Sequence, residues 1–430
     1  MCQVIFMATI TTSDELRLFN RSRILSCLRS GGRQSRKFLC ESTGLSASTV
    51  SQVTADLIDD GVIELFTPKE VIVAKGAKAA AANTRRGRPQ VLLQLNSHAA
   101  TTAVVTWLLN ELEVTLYDYA GQRIHRVSKS LKTGAMSLST LKKHLFGVLD
   151  TVLDDGEYEN SLQHIAMVCQ GTVTRDNSGL LWSPITKLTN IDFGGILQQR
   201  YGVSVSVSNN CNMIARAIFE ERQASSQHAN ENFAVVLSSF GIGLSYFHQG
   251  DILTGSHSSG TEFGHMLFKA GGALCRCGRA GCIEAYASDY AIWRRANGKS
   301  AGDEPSDLIP QDDLMNLIEA AKQKPGPARD AFEEAGAAIG QGLANLFALF
   351  DPFPAILVGI TPDAFSLMEK SLHADLQHYG LSAGDGTVSV YDRVTERKLI
   401  RNGALLQSLS YIDEKIFGFG VSAQMDESVV

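Results

Sequence analysis

The chain has 430 residues, 44% of them hydrophobic and 20% charged, with a formal net charge of −6. This length predicts two or three domains, and no apolar run approaches the ~18 residues of a membrane span. The N-terminus has no basic region before its apolar run, and five cysteines are scattered, so we expect a cytoplasmic protein rather than a secreted one.

Charge is unevenly distributed along the chain. Residues 1–90 hold thirteen Lys and Arg against eight Asp and Glu, a balance of +5, whereas the remainder holds 26 against 37, a balance of −11. A basic N-terminal module on an acidic body predicts that only the first module binds an anionic partner. A basic face that is merely solvated is the alternative.

Three helices are predicted in the first module. The first covers residues 20–28, the second begins after Ser35 and stops at Gly44, and the third begins after Ser46 and stops at Gly61. Serine is a favoured helix N-cap, and glycine often follows the last turn. The apolar residues of the third helix recur at helical spacing, at Val50, Val53, Leu57 and Ile58. This layout is that of a helix-turn-helix, although a generic three-helix bundle shows the same pattern.

The third helix is the candidate reader of the DNA major groove. Small polar residues at its N-terminal end would let it approach base edges, and the basic residues before it are suited to phosphate. Strands over residues 62–65 and 71–73 predict a wing, and RGRP at residues 86–89 has the composition of a minor-groove hook. We therefore assign residues 1–90 to a winged helix-turn-helix domain with a basic linker. Its candidate DNA contacts are Arg33, Arg36, Lys37, Ser46, Ser48, Thr49, Ser51, Gln52, Arg85, Arg86 and Arg88.

From residue 91 strands alternate with helices, which predicts an α/β fold with at least two lobes. VLLQL, TTAVVTWLL and LEVTLYDYAG are predicted to form a meander. Ligand sites in such folds lie at the carboxyl ends of strands, where this chain has Gly171, Asn209, Asn210 and Glu262. Amides and carboxylates together suit a hydroxyl-rich ligand, although asparagines at such positions often only cap helices.

A candidate metal site follows, with the spacing H-x9-C-x-C-x4-C. Its four residues are His265, Cys275, Cys277 and Cys282. Three thiolates and one imidazole form a closed tetrahedral set of the kind that structural zinc prefers. A disulfide, or free cysteines that cluster by chance, are the alternatives.

Several motifs together resemble those of the ROK family of repressors and sugar kinases, from about residue 20 to the end. They are TVSQVTADLIDDGVIE, RRGRP, GTVTRDNSGLLWSP, VSVSNNCN, GTEFGHM, CRCGRAGCIEAYAS and GLANLFALFDPFPAILVG. The resemblance implies that residues 91–430 form a two-lobed fold related to actin and hexokinase, with a zinc-binding loop. One lobe would cover about 91–213 plus the C-terminal helix, and the other about 214–395. The positions that match sugar contacts are Gly171, Asn209, Asn210, Glu262, His265 and Glu284, and those that match zinc ligands are His265, Cys275, Cys277 and Cys282.

The chain departs from the family's kinases at four places. Asn210 stands where the kinases carry the aspartate base, and an amide cannot accept the hydroxyl proton. The first phosphate loop is expected at residues 96–100 without glycine, the second reads Ser-Phe-Gly at 239–241, and Ile360 replaces a glycine near the adenosine. We therefore expect that kinase activity is lost.

The resulting hypothesis is a DNA-binding repressor, homodimeric or homotetrameric, that binds a pseudo-palindromic, A·T-rich operator and responds to a carbohydrate or sugar phosphate. An ATP-dependent sugar kinase with an appended DNA-binding domain is the first alternative. A repressor that senses zinc or redox state through its cysteines is a minor one, because the ligand set is closed.

Overall fold

The computed structural model describes residues 13–66, 91–154, 161–224, 232–306, 308–379, 387–391 and 395–417. The helices in these ranges are α1 (Ser13–Gly31), α2 (Arg36–Thr43), α3 (Ala47–Asp59), α4 (Leu138–Leu153), α5 (Phe193–Tyr201), α6 (Asn210–Ala224), α7 (Glu284–Ala287), α8 (Asp289–Ala296), α9 (Gln311–Gln323), α10 (Pro327–Phe350), α11 (Pro362–Tyr379) and α12 (Glu396–Tyr411). The strands are β1 (Gln34–Ser35), β2 (Ile63–Phe66), β3 (Leu92–Leu95), β4 (Thr101–Leu108), β5 (Glu111–Asp118), β6 (Arg123–Ser130), β7 (Leu162–Cys169), β8 (Thr172–Val173), β9 (Leu180–Trp182), β10 (Ser204–Asn209), β11 (Phe233–Ser238), β12 (Ile242–His248), β13 (Asp251–Ile252), β14 (Ala355–Val358) and β15 (Val388–Tyr391). None of these helices is long and apolar enough to cross a membrane.

The first three helices form the predicted helix-turn-helix. The Ser35 hydroxyl accepts a hydrogen bond from the backbone N–H of Phe38, and the Ser46 hydroxyl accepts one from Thr49, so both serines cap their helices. Gly44 ends α2 in the left-handed conformation at φ 67°. Of the four predicted apolar positions of α3, Val50, Val53 and Leu57 are buried and Ile58 is half-buried. Local capping and periodicity therefore placed α2 and α3 correctly, whereas α1 is longer than the predicted 20–28 at both ends.

The small sheet of this region has the strand order β1-β3-β2. Strand β2 pairs antiparallel with β3, Ile63 opposite Leu95, so VLLQL belongs here and its assignment to a meander with the next two strands was wrong. An alternating pattern does not encode the partner of a strand, and Leu93 and Leu95 bury against the first helices instead. The predicted partner at residues 71–73 lies outside the described residues.

The first lobe is a five-stranded mixed sheet in the order β10-β7-β4-β5-β6. Strands β4, β7 and β10 are parallel, whereas β5 and β6 follow as antiparallel hairpins. Helices α4 and α5 cover one face, and α6 and α12 cover the other. The parallel strands therefore end together at one edge of the sheet.

The second lobe is another five-stranded sheet, in the order β13-β12-β11-β14-β15. Helices α10 and α11 pack on one face, and α6 packs on the other, so α6 contacts the cores of both lobes. Gly336 of α10 lets the two helices approach closely, since a Cβ there would lie 2.3 Å from the carbonyl oxygen of Met368. The molecule thus has the mixed α/β architecture expected from the sequence, with a cleft between two lobes.

Candidate functional site

A cleft opens where the carboxyl ends of β7, β10 and β11 meet, and it encloses about 660 Å³ counted out to its mouth. All six residues predicted to contact a sugar line it, namely Gly171, Asn209, Asn210, Glu262, His265 and Glu284. The sequence reasoning missed other lining residues, among them Gln170, Trp182 and Thr261. The signal for Trp182 was an aromatic residue at the end of a short apolar segment, Leu180–Trp182.

Asn209 is the residue that shapes this end of the cleft. Its side-chain N–H donates to the carbonyl oxygen of Gly171 at 2.6 Å, and its Oδ1 accepts from the backbone N–H of Cys211 at 2.7 Å. A second, longer bond of 3.4 Å comes from the N–H of Asn212. The side chain therefore caps α6 and ties it to the Gly171 turn, a structural task that exists without any ligand.

Three polar side chains face the cleft around Asn209. Asn210 is 5% exposed and its side chain makes no hydrogen bond to a described residue. Glu262 is half-exposed and accepts from the hydroxyl of Thr172 at 2.8 Å. The Nε2 of His265 lies 3.9 Å from the Glu262 carboxylate, and the Trp182 ring meets the imidazole edge-on with centroids 5.9 Å apart. The cleft thus offers amide, carboxylate and aromatic groups side by side.

Glu284 lies deeper and differs from the other acidic residue. It is 4% exposed, and its carboxylate accepts long hydrogen bonds from the backbone N–H of Ile242 at 3.4 Å and from the Tyr290 hydroxyl at 3.5 Å. The Cys275 sulfur lies 3.5 Å from the same carboxylate. Glu284 therefore connects the floor of the cleft with the metal cluster behind it.

The four candidate metal ligands converge. The ligand atoms of His265, Cys275, Cys277 and Cys282 all lie within 4.8 Å of one another. The Cys277 and Cys282 sulfurs are 3.8 Å apart, and the Cys275 sulfur is 3.7 Å from Nδ1 of His265.

These spacings distinguish a metal site from a disulfide. A disulfide would require about 2 Å between sulfurs, whereas Zn–S bonds of about 2.3 Å in a tetrahedron place sulfurs about 3.8 Å apart. Gly281, at φ 92°, lets the chain turn back between the last two cysteines, where a Cβ would lie 1.9 Å from the carbonyl oxygen of Lys269. Burial and the Glu284 carboxylate raise the pKa of the Cys275 thiol, a penalty that a bound cation would reverse. The donor set and its geometry fit a tetrahedral metal ion.

The expected first phosphate loop is not at the cleft, which corrects the prediction for residues 96–100. These residues precede β4, and Ala99 and Ala100 pack among the core residues of the first three helices. Strand β4 is parallel to β7, so its carboxyl end lies at the same edge of the sheet as the cleft. The turn that follows this end is that of Leu109 and Asn110, and the Leu109 N–H donates to the side chain of Gln170, which lines the cleft. That turn also lacks glycine, so it offers no phosphate cradle either.

The candidate DNA face lies on α3, on the start of α2 and on Arg33 before it. The side chains of Ser46, Ser48, Ser51, Gln52, Arg33 and Lys37 are exposed, and Thr49 is half-buried. The hydroxyls of Ser48 and Thr49 each lie 2.8 Å from that of Ser46. Arg36 is half-buried and donates to the Thr54 hydroxyl at 2.8 Å, so it links α2 to the second half of α3. Arg85, Arg86 and Arg88 lie outside the described residues.

Arg33 is held in place by the small sheet. Its guanidinium lies 3.6 Å above the Phe66 ring and donates to the side chain of Gln94 at 2.9 Å. The sheet therefore presents a preorganised cation next to the helix-turn-helix.

Two family models match this sequence. The model described as ROK family matches residues 110–406, and the model described as winged helix-turn-helix DNA-binding matches residues 20–64. The chain is 23% identical over 349 residues to the xylose repressor of Caldicellulosiruptor bescii, which covers 80% of this chain and 83% of that protein.

Two solved structures share the fold. A ROK family transcriptional regulator, described as a homolog of the E. coli MLC protein, matches with a TM-score of 0.68 and 21% identity over 92% of this chain and 99% of its own. A ROK family glucokinase from Streptomyces griseus, solved with glucose and AMPPNP, matches with a TM-score of 0.54 and 21% identity over 72% of this chain and 99% of its own. The fold is therefore shared by regulators and kinases, so it does not by itself distinguish the two functions. That distinction depends on the residues that line the cleft.

Proposed function

The chain belongs to the ROK family, and on that premise we propose that it is a DNA-binding transcriptional repressor whose operator affinity is set by a small carbohydrate. The observation that supports the proposal most is a capped helix-turn-helix with an exposed polar N-terminal face, joined to a cleft that is lined by Asn210 and Phe240. The protein would act in the cytoplasm, where DNA, metabolites and free thiols coexist.

The DNA-binding half of the proposal rests on α3. Ser48, Ser51 and Gln52 are exposed at its N-terminal end and can approach base edges, while Arg33 and Lys37 can contact phosphate. The basic linker with Arg85, Arg86 and Arg88 would enter the adjacent minor groove of an A·T-rich flank. A homodimer or homotetramer would place two such helices on the half-sites of a pseudo-palindrome.

The effector half rests on the charges of the cleft. Glu262 and Glu284 are its acidic residues, and none of the described residues that line it is a lysine or an arginine. Asn209 already occupies the first N–H groups of α6, which would otherwise attract an anion. Of the two effector classes, an uncharged carbohydrate therefore suits the cleft better than a sugar phosphate. Trp182 would pack against the face of its ring.

A structural zinc ion is the metal that we assign to His265, Cys275, Cys277 and Cys282. Three thiolates and one imidazole favour zinc, and four protein ligands leave no open position for a catalytic water. When bound, the ion would hold the loop and fix the orientation of His265, whose Nε2 faces Glu262 and the cleft. The role of the cluster is thus to shape the effector site rather than to carry chemistry.

Loss of kinase activity is the last part of the proposal. Asn210 lines the cleft at the position that matches the aspartate base of the family's kinases, and Phe240, which also lines it, lies in the β11–β12 turn. Neither that turn nor the turn at residues 109–110 has consecutive glycines that could cradle phosphate.

Titration of operator binding against sugars tests the proposal. The full-length protein should shift DNA fragments from near its own gene in a salt-dependent manner. Unphosphorylated pentoses and hexoses, tested beside their phosphates, should change that affinity. Absence of any salt-sensitive DNA binding would contradict a repressor, and rapid ADP release with a hexose would support the kinase alternative instead.

A further inference from the structure

The side chain of Phe240 forms a contact between the two lobes. It lies in the turn between β11 and β12 of the second lobe, lines the cleft, and packs against the core of the first lobe. The backbone N–H of Ser239 donates to the carbonyl oxygen of Gly241 at 3.1 Å, which closes the turn tightly. The position of this one ring therefore influences how the second lobe meets the first.

Arg276 holds that ring from the metal loop. Its guanidinium carbon lies 3.7 Å from the centroid of Phe240 and 4.4 Å from that of Tyr290, so it is stacked between the two rings. Its Nη1 donates to the carbonyl oxygen of Phe240 at 2.9 Å, and its Nη2 donates to that of Ser306 at 2.8 Å. Stacking and two directed hydrogen bonds fix a guanidinium in one orientation, which an ammonium could not reproduce.

The sequence position of Arg276 connects these contacts to the metal site. It lies between two of the four candidate ligands, Cys275 and Cys277. A bound ion would fix the backbone on both sides of the arginine and so fix the base of its side chain. Without a cation, the loop would lack the ligand bonds that hold the backbone on both sides of Arg276.

We infer that Arg276 is a positioning residue through which the metal cluster holds Phe240, and with it one wall of the cleft, against the first lobe. The inference rests on the metal site proposed above and adds a route by which metal occupancy reaches the two-lobe arrangement. In this inference Arg276, which lies between Cys275 and Cys277, positions Phe240 and does not ligate the metal.

Hydrogen exchange on the full chain tests this route. Backbone exchange is measured at residues 238–243 and 274–283 in the wild type and in Arg276→Gln, each with zinc and after chelation. Chelation should raise exchange in both segments of the wild type, by about tenfold at 238–243 if the turn then opens locally. In Arg276→Gln, exchange at 238–243 should already be raised and should not rise further on chelation, whereas 274–283 should still respond.

Two further variants keep the test independent of folding defects. Phe240→Leu retains an apolar contact with the first lobe and the backbone carbonyl that Arg276 bonds, but removes the aromatic face. Its metal response at the turn should therefore lie between those of the wild type and Arg276→Gln. Arg295→Gln removes an equal charge from an exposed residue of α8 and should behave like the wild type. No metal effect at 274–283 would contradict the metal site itself. The route alone would be contradicted by either of two results at residues 238–243. In one, chelation leaves exchange there unchanged in the wild type; in the other, it raises exchange equally in the wild type and in Arg276→Gln.

Discussion

Arg29 and Asp413 lie 384 positions apart in sequence, yet Nη2 of Arg29 donates to both carboxylate oxygens of Asp413, at 2.8 and 2.9 Å. The Tyr119 hydroxyl donates to the same carboxylate at 2.5 Å, and Nη1 of Arg29 donates to the Tyr119 carbonyl oxygen at 2.6 Å. Asp413 lies in a π-helical turn, Ile412–Ile416, after α12. The pair therefore joins the first helix of the DNA-binding region to the end of the helix that packs on α6.

Removing the charge of Asp413 should be strongly destabilising. Asp413 and Arg29 are 7% and 13% exposed, so Asp413→Asn leaves a largely buried guanidinium without its counter-charge, at a cost of roughly 3 kcal/mol in the free energy of unfolding. Urea denaturation measures this cost. The matched control is Asp56→Asn, which breaks an exposed pair with Arg17 and should cost less than about 1 kcal/mol. Equal losses in the two variants would contradict a buried connection.

Acidification should destabilise the protein through His164. The side chain is fully buried between the first sheet and α12, where Nδ1 lies 2.5 Å from the Ser408 hydroxyl, and burial lowers the pKa of His164 from 6.5 to about 4. As the pH falls below 6.5, the unfolded chain takes up a proton at this residue before the folded protein does. The free energy of unfolding should therefore decrease until the pH reaches about 4, by at most about 3 kcal/mol.

Comparison with a variant isolates this contribution. Urea denaturation from pH 7 to pH 4.5 should show a shallower pH dependence in His164→Gln than in the wild type. The exposed His248→Gln variant is the control and should retain the wild-type slope. Parallel curves for the wild type and His164→Gln would show that this histidine does not titrate in the way its burial implies.

A methyl group at Gly171 should disrupt the cleft. Gly171 has φ 118°, and a Cβ would lie 2.2 Å from the carbonyl oxygen of Trp182. Gly171→Ala should therefore lower the free energy of unfolding by about 3 kcal/mol or more, since strain and backbone displacement add. Gly202→Ala also places alanine at positive φ, 69°, but meets no atom within 4 Å, and should cost only about 1–2 kcal/mol. Denaturation measures both free energies of unfolding. Equal decreases in Gly171→Ala and Gly202→Ala would show that the backbone at Gly171 moves to accommodate the added methyl group.

Restoring a carboxylate at Asn210 should not restore phosphoryl transfer. Asn210→Asp supplies a base, but Phe240 and the turn at residues 109–110 still provide no cradle for nucleotide phosphates. ADP release with glucose and ATP should stay at the background of the wild type. Turnover clearly above that background would mean that the asparagine alone separates this chain from the kinases.

Loss of one thiol should empty the metal site. Cys277→Ser should reduce zinc content from about one ion per chain to nearly none, because structural zinc needs all four ligands, and should lower stability by on the order of several kcal/mol. Elemental analysis and denaturation measure the two effects. Cys40→Ser, a half-buried thiol outside the cluster, should leave zinc content unchanged. A variant that loses zinc but keeps full stability and effector response would contradict the structural role.

Predictions from sequence succeeded where the interactions are local. Ser35 and Ser46 bond to backbone groups three residues away, and Cys275 to Cys282 bring three ligands into one short loop. The carboxyl ends of β7 and β10 were also recognisable, because a buried strand followed by polar residues is a local pattern. The family motifs extended this reasoning to Glu262 and Glu284, which do line the cleft.

Predictions failed where the partner of a strand or loop had to be known. Residues 96–100 and 109–110 flank the same strand, β4, and only the direction of that strand in the sheet decides which turn faces the ligand. Likewise, the burial pattern of Leu92–Leu95 would fit a strand in either sheet. The segment pairs with β2 because Leu93 and Leu95 then pack in the core formed by the first three helices.

By itself the sequence determined the helix-turn-helix, the His/Cys cluster that could hold a metal and the polar edge of the cleft, because capping, ligand spacing and periodicity act over a few residues. Only the tertiary structure decided that Arg29 meets Asp413, that Phe240 reaches the first lobe and that Arg276 holds it there. These contacts join segments that no local pattern relates, and they form only after both lobes have assembled and buried the charges and rings together.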